Sequence, residues 1–197
     1  NNHAVVLGEN GRLQVSEDDS SSVLLEKEII ENGLEEAVKA AKESDVAIVF
    51  VGNNPVVNGK EEMDRPDITL AQAQERLIKE VYKANPNTIV VVVGSYPFAI
   101  NWVDDNIPAI LYTSHGGQEL GNAISDVLFG DYNPAGRLNM TWYRSVSQLP
   151  NILDYDIIKG KRTYQYFDGD VLYPFGHGKS YSNFEYSDLK LSASEIN

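Results

Sequence analysis

Ile89-Val90-Val91-Val92-Val93 places five β-branched apolar residues in a row, and this run constrains the fold more than any other stretch. Branching at Cβ favours the pleated strand. A run apolar on both faces belongs at the centre of a parallel sheet, covered by helices on each side. Val46 to Val51 reads the same way, and Ala109 to Tyr112 follows Pro108 as a third strand. Between these runs the period changes to that of a helix. Leu34, Ala37, Val38 and Ala41 fall at i, i+3, i+4 and i+7. Leu70, Ala73, Leu77 and Val81 form the next apolar face, with Thr69 and Gln72 spaced as a capping box and Asn85-Pro86-Asn87 as the stop. A short helical turn is expected around Pro97 to Val103. Leu120, Ala123, Ile124, Val127 and Leu128 make a third strongly periodic helix, ended by Gly130. Such alternation implies right-handed crossovers in one sheet. The fold class expected is α/β: a three-layer α/β/α sandwich with a mostly parallel sheet, flanked by partial β-rich segments.

The flanks read differently. Residues 1–31 alternate loosely through Ala4-Val5-Val6-Leu7, a Gly-Glu-Asn-Gly turn, Leu13 and Val15, and then an acidic, serine-rich patch. Short strands joined by such turns cannot bury a core alone, so this segment is expected to trail from a neighbouring module or to lean on the main domain. From Asp131 onward the chain is loop-rich and aromatic, with a short strand expected at Leu138 to Trp142. Tyr155, Tyr164, Tyr166, Phe167, Tyr173, Phe175, Tyr181, Phe184 and Tyr186 crowd together beyond it. Rings at this density serve most often to cement one packed unit onto another, with a sugar-stacking surface as the alternative.

A net charge of −13 disfavours nucleic acid and anionic membranes as partners, since both reward clustered Lys and Arg. With no cysteine, thiol chemistry and disulfides are excluded. The longest apolar runs have the length of a strand rather than a membrane span. No signal-peptide pattern stands at the N-terminus, and the compartment, cytoplasmic or secreted, stays open. The three histidines are far apart and no ligand spacing repeats, so neither a metal nor a cofactor is expected.

The polar connection from Gly52 to Pro66 is where chemistry is expected. Its centre, Gly59-Lys60-Glu61-Glu62-Met63-Asp64-Arg65, follows a buried strand directly. Open α/β sheets keep their ligand-contacting side chains beyond the carboxyl ends of the strands. Read blandly, it is a charge-balanced surface loop. His115, in the turn after the third strand, is placed by topology at the same edge. A hydrogen-bonded turn histidine is its bland reading; lining a substrate, or supporting a residue that does, is the sharper one.

Taken together, several segments resemble the C-terminal α/β sandwich domain of glycoside hydrolase family 3, the β-glucosidase and β-xylosidase family. They are Asp45 to Val49, the Glu61 to Arg65 loop, Asn85 to Thr88, Pro108 to Leu111, Gly117-Gln118-Glu119 with Asn122 to Gly130, and Asn133 to Leu138. Arg162-Thr163-Tyr164, Tyr166-Phe167, Leu172 to Gly178 and Phe184 to Tyr186 complete the set. The resemblance covers roughly residues 33–190. It implies domains at 1–31 (the tail of a β-rich insertion or neighbouring module), 32–180 (the sandwich) and 181–197 (the start of a fibronectin type III-like domain).

It further implies a retaining exo-acting hydrolase of terminal, non-reducing β-D-glycosides, taking oligosaccharide or aryl and alkyl glycoside substrates. The aspartate nucleophile would lie on a (β/α)₈ barrel outside these residues, and the fragment alone would be inactive. The general acid/base falls on Glu61, three residues before Asp64-Arg65. Glu62 is the alternative, because it stands where relatives often have glycine. Lys60 and Arg65 would hold the carboxylates or bind substrate hydroxyls, their bland reading being a salt bridge to Asp64 or Asp67. His177 and His3 are read as structural, and the Asn139-Met140-Thr141 sequon as incidental. The rival from another class is a carbohydrate-binding or scaffolding domain with no catalytic residue of its own. A nucleotide binder is disfavoured, because no glycine-rich phosphate loop follows any strand.

Overall fold

The computed structural model describes residues 4–8, 12–16, 23, 28–59 and 65–193. The chain divides into two compact units, Asn1–Glu35 and Glu36–Asn197. In the first, β1 (Ala4–Leu7) pairs antiparallel with β2 (Leu13–Ser16), and the Val23 amide donates to the Val5 carbonyl. The turn expected between these strands and the segment around Leu24 fall largely outside the described residues.

The second unit is built on three parallel strands in the order β3 (Ala47–Gly52), β4 (Thr88–Val93), β5 (Ala109–Thr113). The register runs from Ala47 opposite Thr88 to Gly52 opposite Val93, and from Ile89 opposite Ala109 to Val93 opposite Thr113. Helices α2 (Gln72–Ala84) and α3 (Asn101–Asn106) connect the strands, while α1 (Gly33–Lys42) precedes β3 and α4 (Leu120–Phe129) follows β5. The α/β class and the parallel sheet are therefore as expected, and Val90, Val91 and Val92 are fully buried, as a central strand requires.

Successive crossovers in one direction along the sheet put α2 and α3 on the same face. There Val49, Val51, Val90 and Val92 share a core with Ile78 and Val81 of α2 and Val103 of α3. On the opposite face Ile48 and Phe50 of β3 remain 40% and 56% exposed.

Three local expectations change. The helix expected from Leu70 begins at Gln72, with Ala71 at its N-cap and no side-chain cap, so Thr69 and Gln72 form no capping box. Asp67 intercepts the local amides instead: its Oδ1 accepts from the Ile68 and Thr69 amides at 2.5 and 3.1 Å. A capping box does form at Ser145 with Gln148, around a 3₁₀ turn at Val146–Gln148. The turn expected over Pro97 to Val103 becomes a helix at Asn101–Asn106, because the Ala99 amide is drawn away to the Ile68 carbonyl at 2.8 Å.

The strand expected at Leu138 to Trp142 shrinks to one bridge, Trp142 opposite Tyr173. At the other end of that pair, the Leu138 amide donates to the His177 carbonyl and the Gly176 amide to the Leu138 carbonyl. Between the two ties the pairing lapses, so no ladder propagates. Trp142, only 1% exposed, nevertheless packs edge-on against Phe98 and Tyr112 and tilted against Tyr173, joining this stretch to the sheet core. The last helix, α5 (Thr163–Tyr166), is a single turn.

Candidate active site at the carboxyl edge of the sheet

Parallel strands deliver all their carboxyl ends to one edge, and here β3 ends on a crowded glycine and β4 is followed by one. Gly52 has φ of +142°, and a Cβ on it would lie 1.7 Å from the Val93 carbonyl oxygen. The Asn53 amide can then donate to that same carbonyl at 3.2 Å, while the Gly94 amide donates to Thr113 at 3.0 Å. The three strand ends are thus hydrogen-bonded one residue beyond the regular ladder. Gln74 of α2 adds a clasp: its Nε2 donates to the Gly52 carbonyl at 2.8 Å, and the Gly52 amide faces its Oε1 at 3.4 Å.

Beyond Gly52 the chain turns on asparagines. The Val56 amide donates to Asn54 Oδ1 at 2.8 Å, and the Asn54 amide to Asn58 Oδ1 at 2.6 Å. The side chain of Asn53 points inward and is 7% exposed. A Cβ on Gly59 would come within 2.6 Å of its Nδ2, and one on Gly94 within 2.6 Å of its Oδ1. Among the described residues that Oδ1 has no hydrogen-bond partner.

His115 ties the edge together. Its Nε2 lies 2.8 Å from the Asn53 carbonyl and its Nδ1 2.8 Å from Ser95 Oγ. A carbonyl only accepts, so Nε2 carries the proton, and in the neutral ring Nδ1 accepts from the Ser95 hydroxyl. One imidazole therefore joins the loops that follow all three strands, and both its nitrogens are engaged.

Arg65 is partly buried. The carbon of its guanidinium sits 4.3 Å from the Tyr96 ring centre and 5.3 Å from that of Phe98, and Nη1 donates to the Pro97 carbonyl at 3.5 Å. A cavity of about 230 Å³ opens beside these groups, lined by Asn53, Asn58, Arg65, Asp67 and Phe98 among others. Of the residues singled out in the sequence, Arg65 and His115 are brought to the same neighbourhood: both bear on the segment after β4. Lys60, Glu61 and Glu62 lie outside the described residues. No group of three or more His, Asp or Glu side chains among the described residues is arranged to hold a metal ion.

Asn53, Ser95 and the Tyr96-Pro97-Phe98 platform were not anticipated from sequence. A signal existed, since glycine ends β3 at Gly52 and follows β4 at Gly94, and a polar residue comes directly after each. Nothing in the sequence said that those two polar residues would meet one histidine.

A parallel sheet with helical crossovers, its carboxyl edge braced by side chains from successive loops, marks a domain of the α/β class. The family is shown by comparison: residues 5–181 match the glycosyl hydrolase family 3 C-terminal domain, and the chain belongs to that family.

Among proteins it is similar to are a "Beta-xylosidase" of Formosa agariphila, 40% identical over 167 residues, and "Thermostable beta-glucosidase B" of Acetivibrio thermocellus, 37% identical over 179. These alignments cover 83% and 85% of this chain but 23% of either relative, so the chain spans less than a quarter of the proteins it matches. Among solved structures, a family 3 β-glucosidase of Neurospora crassa superposes with a TM-score of 0.69 at 37% identity, over 80% of this chain and 21% of that one. The β-glucosidase of Kluyveromyces marxianus in complex with glucose gives 0.68 at 32%, over 77% and 19%.

Proposed function

We propose that this domain contributes the general acid/base of a retaining β-glycosidase acting on terminal, non-reducing β-D-glycosides, with Glu61 as that residue and Glu62 as the alternative. The observation that carries the reading is the convergence at one sheet edge. The loops after β3, β4 and β5 are bound together by His115, and the residues that flank the Glu61 connection, Gly59 and Arg65, sit at that edge. Similarity to proteins named as β-glucosidases and β-xylosidases supports the substrate class.

In this reading an aspartate on a barrel domain of the same polypeptide attacks the anomeric carbon. The Glu61 carboxylic acid gives its proton to the glycosidic oxygen, and the aglycone leaves as an alcohol. The Glu61 carboxylate then takes a proton from water, whose oxygen attacks the anomeric carbon and frees the aspartate. Such chemistry calls for the two carboxyl groups to approach about 5–5.5 Å apart. Substrates are oligosaccharides or aryl and alkyl glycosides. A fibronectin type III-like domain beginning near residue 181 is a further proposed partner within the polypeptide.

The test is Glu61→Ala in the full-length enzyme, alongside Glu62→Ala. Turnover of alkyl glycosides, which need protonation of a poor leaving group, is expected to fall by about 10²–10⁴-fold, the usual worth of a general acid. Azide should restore rate on dinitrophenyl glycosides by attacking the glycosyl-enzyme without a base. If the collapse and the azide response follow Glu62 instead, the assignment moves one residue. Unchanged kinetics in both variants would leave the domain a scaffold.

A further inference from the structure

Gly59 and Arg65 bound the connection that carries Glu61, and both are tied to the segment after β4, Arg65 directly and Gly59 through Asn53. At the outgoing end Gly59 is buried against Asn53, close enough that a Cβ would meet Asn53 Nδ2 at 2.6 Å. Asn53 in turn lies against Gly94, where a Cβ would meet its Oδ1 at 2.6 Å and the Phe98 ring at 2.7 Å. Phe98, 1% exposed and locked edge-on against Trp142, lies with Tyr96 beneath the Arg65 guanidinium at the returning end. Three residues further on, the Ala99 amide donates to the Ile68 carbonyl at 2.8 Å. His115 holds the same seat from the third side, through Ser95 and the Asn53 carbonyl.

Gly59, Asn53, Gly94, Phe98 and Arg65 therefore form one continuous packed chain that joins the two ends of the connection. Fixing both ends limits what the residues between them can sample. A displacement of about 1 Å in a reacting group can cost about 10²-fold in rate.

We propose that Arg65 is a positioning residue. Stacked on Tyr96 and Phe98, it pins the returning end of the connection that carries the acid/base, and the Gly94–Ala99 segment is the seat on which both ends are aligned. The inference rests on the reading of Glu61 given above. Arg65 suits the task because a planar guanidinium can lie flat over a ring while an edge nitrogen reaches a main-chain carbonyl, which an ammonium does less well. A residue in this role acts on the rate of protonation and leaves ground-state binding of the sugar unchanged.

The test is carried out in the full-length enzyme with Arg65→Met, Arg65→Lys and Tyr96→Leu, alongside Glu61→Ala. For alkyl glycosides kcat is expected to fall about 10- to 100-fold in Arg65→Met, with KM held within about twofold. Arg65→Lys should recover part of the loss, and Tyr96→Leu should reproduce the pattern from the other side of the stack. Dinitrophenyl glycosides, whose departure needs no proton, should show a smaller loss in the glycosylation step.

A rise in KM at constant kcat would make Arg65 a substrate contact and overturn the inference. Wild-type kinetics in both Arg65→Met and Tyr96→Leu would overturn it too. Should Arg65→Met fail to fold, Tyr96→Leu with a normal melting transition decides the matter by the same criterion. A Glu61→Ala enzyme with normal turnover defeats the acid/base reading itself. Confirmation of Glu61 together with unperturbed Arg65 variants defeats only the positioning role.

Discussion

The stretch from β3 to α4 and the stretch after Gly130 are held together by different means. In the first, backbone ladders and one apolar core repeat regularly: β4 bonds to a strand on each side, and Ile78, Val90, Val92 and Val103 are at most 1% exposed. In the second the described residues hold one bridge, one 3₁₀ turn and one four-residue helix, and order comes from individual side chains. Asn133 Oδ1 accepts from the Ser180 hydroxyl and the Tyr181 amide, Arg144 pairs with Asp170 at 2.7 Å, and Tyr173 donates to Asp104 at 2.6 Å. The contrast teaches that the first region is stabilised collectively, whereas the second hangs on a few attachment points. Loss of one such point should be either global or local, depending on whether it touches the sheet.

Trp142→Ala breaks the comparison hardest, because Trp142 belongs to both regions. It contacts Phe98 and Tyr112 on the sheet side and Tyr173 on the other. Removing so large a buried ring is expected to destabilise the domain by about 3–5 kcal/mol. Thermal melting would register this as one large downward shift of the whole transition. A shift confined to residues beyond 130 would mean that the two regions are less joined than the packing implies.

Arg162→Met should have a smaller, local effect. Its Nη2 donates to the Asn151 carbonyl at 2.7 Å and also to the Asp154 carbonyl, which Nε reaches at 2.9 Å. This one guanidinium gathers a loop whose apolar residues Ile152, Leu153 and Tyr155 are more than 80% exposed and give it no core of its own. Faster amide hydrogen exchange at 151–162 is expected, equivalent to about 1–2 kcal/mol of lost local protection, with the melting temperature of the sheet little changed. Global unfolding in this variant would erase the distinction.

The smallest effect is on pH dependence. His177 stacks on Tyr173 with ring centres 4.7 Å apart, and burial, aided by the nearby Lys179, pushes its pKa below the ordinary 6.5. A histidine with a depressed pKa binds fewer protons folded than unfolded. Its contribution is fully present above pH 6.5 and is lost as the pH falls through the folded value. In His177→Gln the melting temperature should therefore decline less steeply on acidification below pH 6.5. An equally steep decline would place the titrating group elsewhere.

What was readable in advance follows the same division. Leu34, Ala37, Val38 and Ala41 foretold α1, Asn85 ended α2, and Gly130 ended α4 in the left-handed conformation its φ of 87° requires. The strand at Leu138 to Trp142 was legible only as an apolar stretch. Whether it pairs depends on a partner thirty residues away, and that partner met it at one point. At the candidate site, topology placed His115 at the correct edge, but its bonds to Ser95 and Asn53 join residues 20 and 62 positions away. Arg65 was expected to meet carboxylates or a sugar. Its guanidinium lies over Tyr96 and Phe98, rings that no spacing rule connects to it.

Periodicity, β-branching and helix-stop residues are local properties, and by themselves they determined the α/β class, the central strand and where α2 and α4 stop. They also put a charged connection beyond the carboxyl end of β3. Which loops would meet at that edge, which amide would be wedged between two glycines, and which ring would carry Arg65 were decided only by the tertiary structure. Such contacts form between residues far apart in the chain, once the strand register and the crossover direction have brought their backbones together.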